Sequence, residues 1–284
     1  MNALAALTEI NLDDLVNSFG WQDSPALKFL LRRLCHAPAQ KFARRMLAFD
    51  ARVGELGLVD GAKLALQAYA ADLQLFGAEN IPARGPALFL SNHPGMVDTL
   101  ALFAAIARPD LKIIAMRRPF LQALNNTSRS LLYLGETPAE KISAIRQAAA
   151  HLKAGGAALT FPAGKIDPDP AVYPGAEAAL QSWSDSAAIF QRLAPETQIL
   201  PVLVRGVLWE KAVKHALTRL KKEREEREKL GAALQLLAHV VFDLAPLRVQ
   251  IYVGPPLRAE NQNLHASLLT AMRGLLEISQ PKTQ

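Results

Sequence analysis

From Ser24 to Phe49, leucines and aromatics return every three or four residues: Leu27, Leu30, Leu31 and Leu34, then Phe42, Met46, Leu47 and Phe49. That spacing gathers them on one side of a helix and predicts helices over most of residues 1–75. Pro38 is expected to separate the two stretches, because proline has no N–H to offer the preceding turn. Gly54 and Gly57 mark a loop, and a further helix is expected from Asp60 to about Ala71.

Near Asp72 the pattern changes. Short continuous apolar runs at 73–76, 87–90, 111–116, 157–161, 199–204 and 249–253 alternate with helical periodicity near 98–107, 138–153, 176–193, 209–243 and 260–278. Continuous apolar runs fit strands covered on both faces. Strands alternating with helices predict an α/β fold, with a mostly parallel or mixed central sheet flanked by helices and an N-terminal helical region. The expected division is a helical region over 1–75 and an α/β domain over 76–284. One helix start is written out in full. Thr137-Pro138-Ala139-Glu140 offers a cap, a proline for the first helical position and an acid able to close a capping box, and Gly155-Gly156 ends the helix.

Composition adds limits. Half of the 284 residues are hydrophobic and a fifth are charged, which supports a sizeable core. The single cysteine, Cys35, excludes an internal disulfide and a cysteine-based zinc site, and its apolar helical setting makes it a core residue. No stretch approaches ~20 uninterrupted apolar residues, and the N-terminus carries acids early without a basic run. Neither a spanning helix nor a signal peptide is expected, which points to a cytoplasmic protein at the inner face of a membrane.

The net charge of +6 calls for an anionic partner: a phospholipid surface, a phosphorylated substrate or a nucleic acid. Between Ser24 and Phe49 there are six basic residues, Lys28, Arg32, Arg33, Lys41, Arg44 and Arg45, and no acid. Interleaved with apolar residues at helical spacing, they suit an anionic bilayer surface, or a helical cap with an exposed basic side. No nucleic-acid partner is expected, since zinc-finger spacing, an aromatic RNA-binding block and a basic recognition helix are all missing. The mixed charges of 221–229 read as a solvated helix face.

Chemistry concentrates in Ser91-Asn92-His93-Pro94-Gly95-Met96-Val97-Asp98-Thr99, which leaves a predicted strand, turns and enters a predicted helix. On one ideal helix, side chains five residues apart diverge by ~140°, so His93 and Asp98 would not meet. A Pro-Gly turn between them can bring the imidazole to the carboxylate. The acid then holds one ring nitrogen and leaves the other to take a proton from a hydroxyl. A turn in which Asp98 merely caps the next helix while His93 is buried satisfies the spacing equally well. His239 and Asp243, one helical turn apart in an apolar helix, read as structural. Neither G-x-S-x-G, a complete P-loop nor H-E-x-x-H occurs, and no metal or cofactor is expected.

The block from Ser91 to Asp98 resembles the N-H-x-x-x-x-D signature of the glycerolipid and lysophospholipid acyltransferase family. Thr160-Phe161-Pro162-Ala163-Gly164-Lys165 resembles that family's F-P-E-G block, and Ile199-Leu200-Pro201-Val202-Leu203-Val204 its apolar-proline strand, in the same order. The resemblance spans roughly 75–255. It implies an O-acyltransferase in which His93 is the general base and Asp98 its partner. The acyl donor would be a thioester, acyl-CoA or acyl carrier protein, and the acceptor a hydroxyl of a lipid or glycerol-based molecule. Asn92, Gly95, Phe161, Pro162, Gly164 and Lys165 become expected substrate-binding positions, with Gly95 and Gly164 allowing close backbone approach. Two departures stand out. Ala163 replaces the family's Glu, and no Arg follows Leu131–Leu134 to grip an acceptor phosphate, so Arg117, Arg118 or Arg129 would have to substitute. Both departures would also suit a lipid- or acyl-binding protein that keeps the fold without catalysis.

Overall fold

The computed structural model describes residues 2–95, 97–257 and 263–280, with backbone alone at 224 and 225. Three helices come first: α1 (Ala3–Phe19), α2 (Pro25–Leu56) and α3 (Leu58–Leu66). Then follow β1 (Ala70–Phe76), β2 (Ala87–Ser91), α4 (Asp98–Ile106), β3 (Lys112–Met116), α5 (Pro119–Gln122), β4 (Leu131–Leu134), α6 (Pro138–Lys153) and β5 (Ala157–Thr160). The last third holds α7 (Ala176–Ala179), α8 (Ser186–Leu193), β6 (Gln198–Arg205), α9 (Glu210–Val213), α10 (Arg224–Phe242), β7 (Leu247–Val253) and α11 (Leu264–Ser279). The expected start of the last helix at 260 lies outside the described residues.

The chain forms two compact units. A helical unit combines Met1–Ala71 with Arg118–Arg129 and Leu208–Leu247, so it takes in two later segments beyond the N-terminal helices. Asp72–Arg117, Ser130–Val207 and Arg248–Gln284 make the sheet unit.

In the helical unit, α2 runs without a break through Pro38, contrary to the expected separation. The hydrogen bond that proline forgoes would have gone to the carbonyl of Leu34. Leu34 is 67% exposed, so that carbonyl lies on the watery side of the helix. The opposite side holds the helix together: Leu31, Cys35 and Ala39 pack with Leu12, Leu15 and Val16 of α1 and Ala233 of α10. Gly54 also sits inside α2 and not in a loop; the Asn126 side chain occupies the space a Cβ would take. Gly57, at φ 85°, makes the turn into α3. The buried Asp50 carboxylate ties α2 to residues 126 and 127, accepting from both backbone N–H groups and from the Thr127 hydroxyl. His239 Nδ1–H donates to the Leu244 carbonyl oxygen at 2.6 Å, while Asp243 pairs with Lys41 and Arg45. They do not pair with each other.

Among the described residues the sheet unit is built on seven strands in the order β1-β7-β6-β2-β5-β3-β4. The run β6-β2-β5-β3-β4 is parallel and β7 is antiparallel to β6. This is the mixed α/β sheet flanked by helices that the apolar runs predict. All five residues of β2 and all four of β5 are buried. Leu88 and Leu90 point into a cluster with Leu152 of α6, Phe190 of α8 and Met272 of α11, while Ala87 and Phe89, also fully buried, face the other way. Strand β4 escapes the sequence reading because it is four residues long and follows a polar 3₁₀ turn, Thr127–Ser130. The helical stretch expected over 176–193 breaks at Trp183, where the next N–H, of Ser184, is drawn to the Pro162 carbonyl. The stretch expected over 209–243 divides into α9, a 3₁₀ turn and α10.

Candidate active site

Strands β2 and β5 lie side by side in parallel register, Leu90 opposite Thr160, so the segments after them emerge at the same edge of the sheet. The first carries Asn92 and His93, the second Phe161 and Pro162. Ligands of parallel α/β sheets bind at this carboxyl edge.

After β2 the chain reverses at Pro94-Gly95, with Gly95 at φ 86°, a conformation that glycine adopts without a Cβ penalty. The reversal brings His93 Nδ1 to 2.7 Å from Asp98 Oδ2. Asp98 stands at the first position of α4 and is 1% exposed. Its Oδ2 also accepts the Gly95 N–H at 2.7 Å, and Oδ1 accepts from the backbone and hydroxyl of Thr99. Three donors besides the ring therefore fix the carboxylate in place. The ring lies on Phe161, centroids 4.1 Å apart and planes 18° from parallel. Its side chain is 29% exposed, and among the described residues nothing takes its Nε2. Burial works against the imidazolium, but the charge and hydrogen bond of Asp98 and the charge of Asp167 outweigh it and hold the ring's pKa above the ordinary value. The result is an oriented imidazole with one nitrogen committed and the other open.

Residues 72–205 match the family model described as Acyltransferase. The match with this acyltransferase model runs from β1 to the end of β6 and so takes in the His93–Asp98 pair, the Phe161–Lys165 turn and the apolar-proline strand. The solved structure of the 1-acyl-sn-glycerophosphate (LPA) acyltransferase PlsC from Thermotoga maritima is similar at 15% identity, with a TM-score of 0.46 over 83% of this chain and 97% of that chain. Comparison with curated proteins finds no match.

The other expected positions of this acyltransferase-like segment divide into three groups. Phe161 stacks on the His93 ring, and Pro162, Gly164 and Lys165 follow it in the loop after β5. Gly164 N–H closes a turn onto the Phe161 carbonyl at 3.0 Å, and Lys165 is exposed. Asn92, 4% exposed, faces inward: its amide gives to the Val204 carbonyl and its oxygen accepts the Val204 N–H, at 2.8 and 2.7 Å. A side chain spent this way locks β2 to β6 and corrects the expectation of substrate contact. Gly164 opens to free space while the Ile166 side chain stands over the buried Gly95, and both N–H groups are already engaged, by Phe161 and by Asp98. The arginines are the third group. Arg117 ends the β3 segment, exposed and 3.5 Å from Glu140, whereas Arg118 and Arg129 belong to the helical unit.

One residue escaped the sequence reading. Asp167, 4% exposed, accepts the His93 N–H on Oδ2 at 3.0 Å and gives its own N–H to the His93 carbonyl at 2.9 Å. The Asp167-Pro168-Asp169 string, two acids around a proline just after the Phe-Pro-Ala-Gly turn, was the signal available in the sequence.

Proposed function

We propose that this protein is an O-acyltransferase. It moves a fatty acyl group from a thioester, acyl-CoA or acyl carrier protein, to a hydroxyl of a lipid or glycerol-based acceptor. The observation that carries the reading is the 2.7 Å pairing of His93 with a buried, triply supported Asp98 at the carboxyl edge of the sheet, inside the segment that matches the acyltransferase model.

The chemistry follows from the geometry. With Asp98 ionised, Nδ1 keeps its hydrogen and Nε2 is the basic nitrogen. The acceptor O–H gives its proton to Nε2 as its oxygen bonds to the thioester carbonyl carbon. The tetrahedral intermediate then expels the thiolate, the C–S bond breaks, and the imidazolium returns the proton to sulfur. The products are an ester and a free thiol, and the ring is restored. General-base assistance of this kind contributes about 10²–10⁴-fold. Exposed Lys165, on the turn beside the ring, supplies a positive charge for a phosphate of the donor or the acceptor.

The same reading places the protein on an anionic membrane. Along the first half of α2, Leu27, Leu30 and Leu34 form an exposed stripe, joined by Phe29 at 68% exposure. Acids from elsewhere neutralise part of the basic series, for Arg32 pairs with Glu9 and Asp13, and Lys41 and Arg45 with Asp243. Lys28, Arg33 and Arg44 are left to meet lipid phosphates around the apolar stripe. The contact proposed is peripheral, at the cytoplasmic face; no described helix is long and apolar enough to cross a membrane.

The deciding experiment is lipid profiling of cells expressing the wild type beside His93→Ala. One acylated lipid class rises with the wild type alone. Identical profiles favour the second reading, a lipid- or acyl-binding protein without catalysis, for which Ala163 in the place of the family's Glu is the specific observation.

A further inference from the structure

The loop after β5 buries two aspartates only two residues apart, and their partners differ. Asp169, fully buried, accepts N–H groups from Ala171, Gly206 and Val207, tying the loop to the end of β6. Asp167 turns the other way, to His93. Its carboxylate accepts the His93 N–H and its peptide N–H reaches the His93 carbonyl, at 3.0 and 2.9 Å. Among the described residues no Lys or Arg lies within ion-pair distance of it. A buried carboxylate without a cation is costly, and such groups gather where a charge has work to do.

The position explains what that work is. β2 ends at Ser91, so His93 stands beyond the ladder that would have satisfied its backbone, and the Pro94-Gly95 turn follows at once. Unheld, that short segment could swing the ring away from Phe161 and from Asp98. We propose that Asp167 is a positioning residue for His93, clamping both backbone groups of the base and setting a second negative charge, after that of Asp98, beside a ring that becomes cationic during transfer. This deepens the acyl-transfer reading and rests on it. The charged groups facing the ring or its clamp are Asp98 from α4, and Asp167 and Lys165 from the β5 loop. Both carboxylates favour the protonated ring; burial pushes the Asp167 carboxyl's pKa up, and the His93 N–H, the ring's charge and Lys165 work against that by favouring its ionised form.

The test uses the full chain and two readouts. The His93 ring is titrated by NMR in the wild type, Asp167→Asn and Asp169→Asn, and thiol release from an acyl-CoA with a panel of lysolipid acceptors is followed against pH. In Asp167→Asn the ring's midpoint falls by roughly 0.5–1 unit, and the acidic limb of the rate profile moves to lower pH with it. kcat drops about 10- to 100-fold, because the base is less firmly placed, while KM changes little. Asp169→Asn lowers stability yet leaves the ring's midpoint where it was. An Asp167→Asn protein with wild-type midpoint and wild-type kcat overturns the proposal. If circular dichroism shows that this variant does not fold, Asp167→Glu takes its place: the charge stays, the clamp lengthens by one methylene, and a wild-type kcat there is equally fatal. Should the wild type release no thiol with any acceptor, the transfer reading fails, and the ring titration still decides whether Asp167 acts on His93.

Discussion

Replacing Asp98 by Asn removes one charge and leaves the volume of the side chain almost unchanged, so the consequence can be worked from the hydrogen bonds. Oδ2 receives the ring Nδ1 and the Gly95 N–H, each at 2.7 Å, and Oδ1 receives two donors from Thr99. An amide has only one oxygen to offer. If that oxygen faces His93, the amide NH2 confronts the Thr99 N–H, a donor against a donor. If it faces Thr99, the NH2 confronts the Gly95 N–H and forces the ring to accept at Nδ1, which moves the hydrogen to Nε2 and leaves no base. The charge matters as well. Two unit charges ~4 Å apart at an effective dielectric of ~20 attract by about 4 kcal/mol, a factor of roughly 10³ in the stability of the imidazolium. With the tautomer effect added, kcat for thiol release is expected to fall by about 10³–10⁴ with little change in KM. The assay is colorimetric thiol release from acyl-CoA in the presence of lysolipid acceptors, on protein shown by circular dichroism to be folded. A folded Asp98→Asn retaining more than about a tenth of wild-type kcat would refute the role given to this pair.

Further outcomes follow from the same contacts. Asp50→Ala strands the N–H groups of residues 126 and 127 and the Thr127 hydroxyl in a buried site, and should destabilise by about 3 kcal/mol, lowering Tm by roughly 5–10 °C; a thermal melt shifted by less than ~2 °C speaks against this. Leu30→Glu with Leu34→Glu sets two acids into the exposed stripe of α2 and should weaken co-sedimentation with anionic vesicles by about tenfold or more at unchanged fold, and undiminished binding would remove α2 from the membrane contact. Because the His93 pKa is raised above its unfolded value, the stability drawn from its pairing is complete below pH ~6.5 and is lost as pH rises through the folded value. Urea titrations should therefore show the gap between wild type and His93→Ala narrowing as pH is raised above neutrality. Burial depresses His239, whose contribution runs in the opposite sense: complete above pH ~6.5 and lost as pH falls below it, which measurements on a His239→Phe variant would show as a flatter acid limb.

Much of the layout was legible because local rules govern it. The capping box at Thr137 forms as written, its hydroxyl taking the Glu140 N–H and the Glu140 carboxylate taking the Thr137 N–H. The meeting of His93 and Asp98 depends on a turn of two residues, and the Pro-Gly pair declared that turn. Less legible were features that depend on who stands next to whom. Asn92 looked like a substrate contact because it precedes the histidine; only the adjacency of β2 and β6 shows that Val204 occupies it. The basic series of α2 looked uncompensated because its acids arrive from Glu9, Asp13 and Asp243.

By itself, then, the sequence determined the alternation of buried strands and helices, the position of the bend after β2 and the residue types able to move a proton there. Those properties rest on side-chain spacing and backbone preference within a few residues, and they are present in any stretch of chain that carries the pattern. Tertiary structure alone decided that α2 continues through Pro38, that residues 118–129 and 208–247 join the helical unit, and that Asp167 grips His93 across 74 positions of sequence. Strand order sets which loops share an edge, and that order follows from the packing of every layer at once, which no local periodicity encodes.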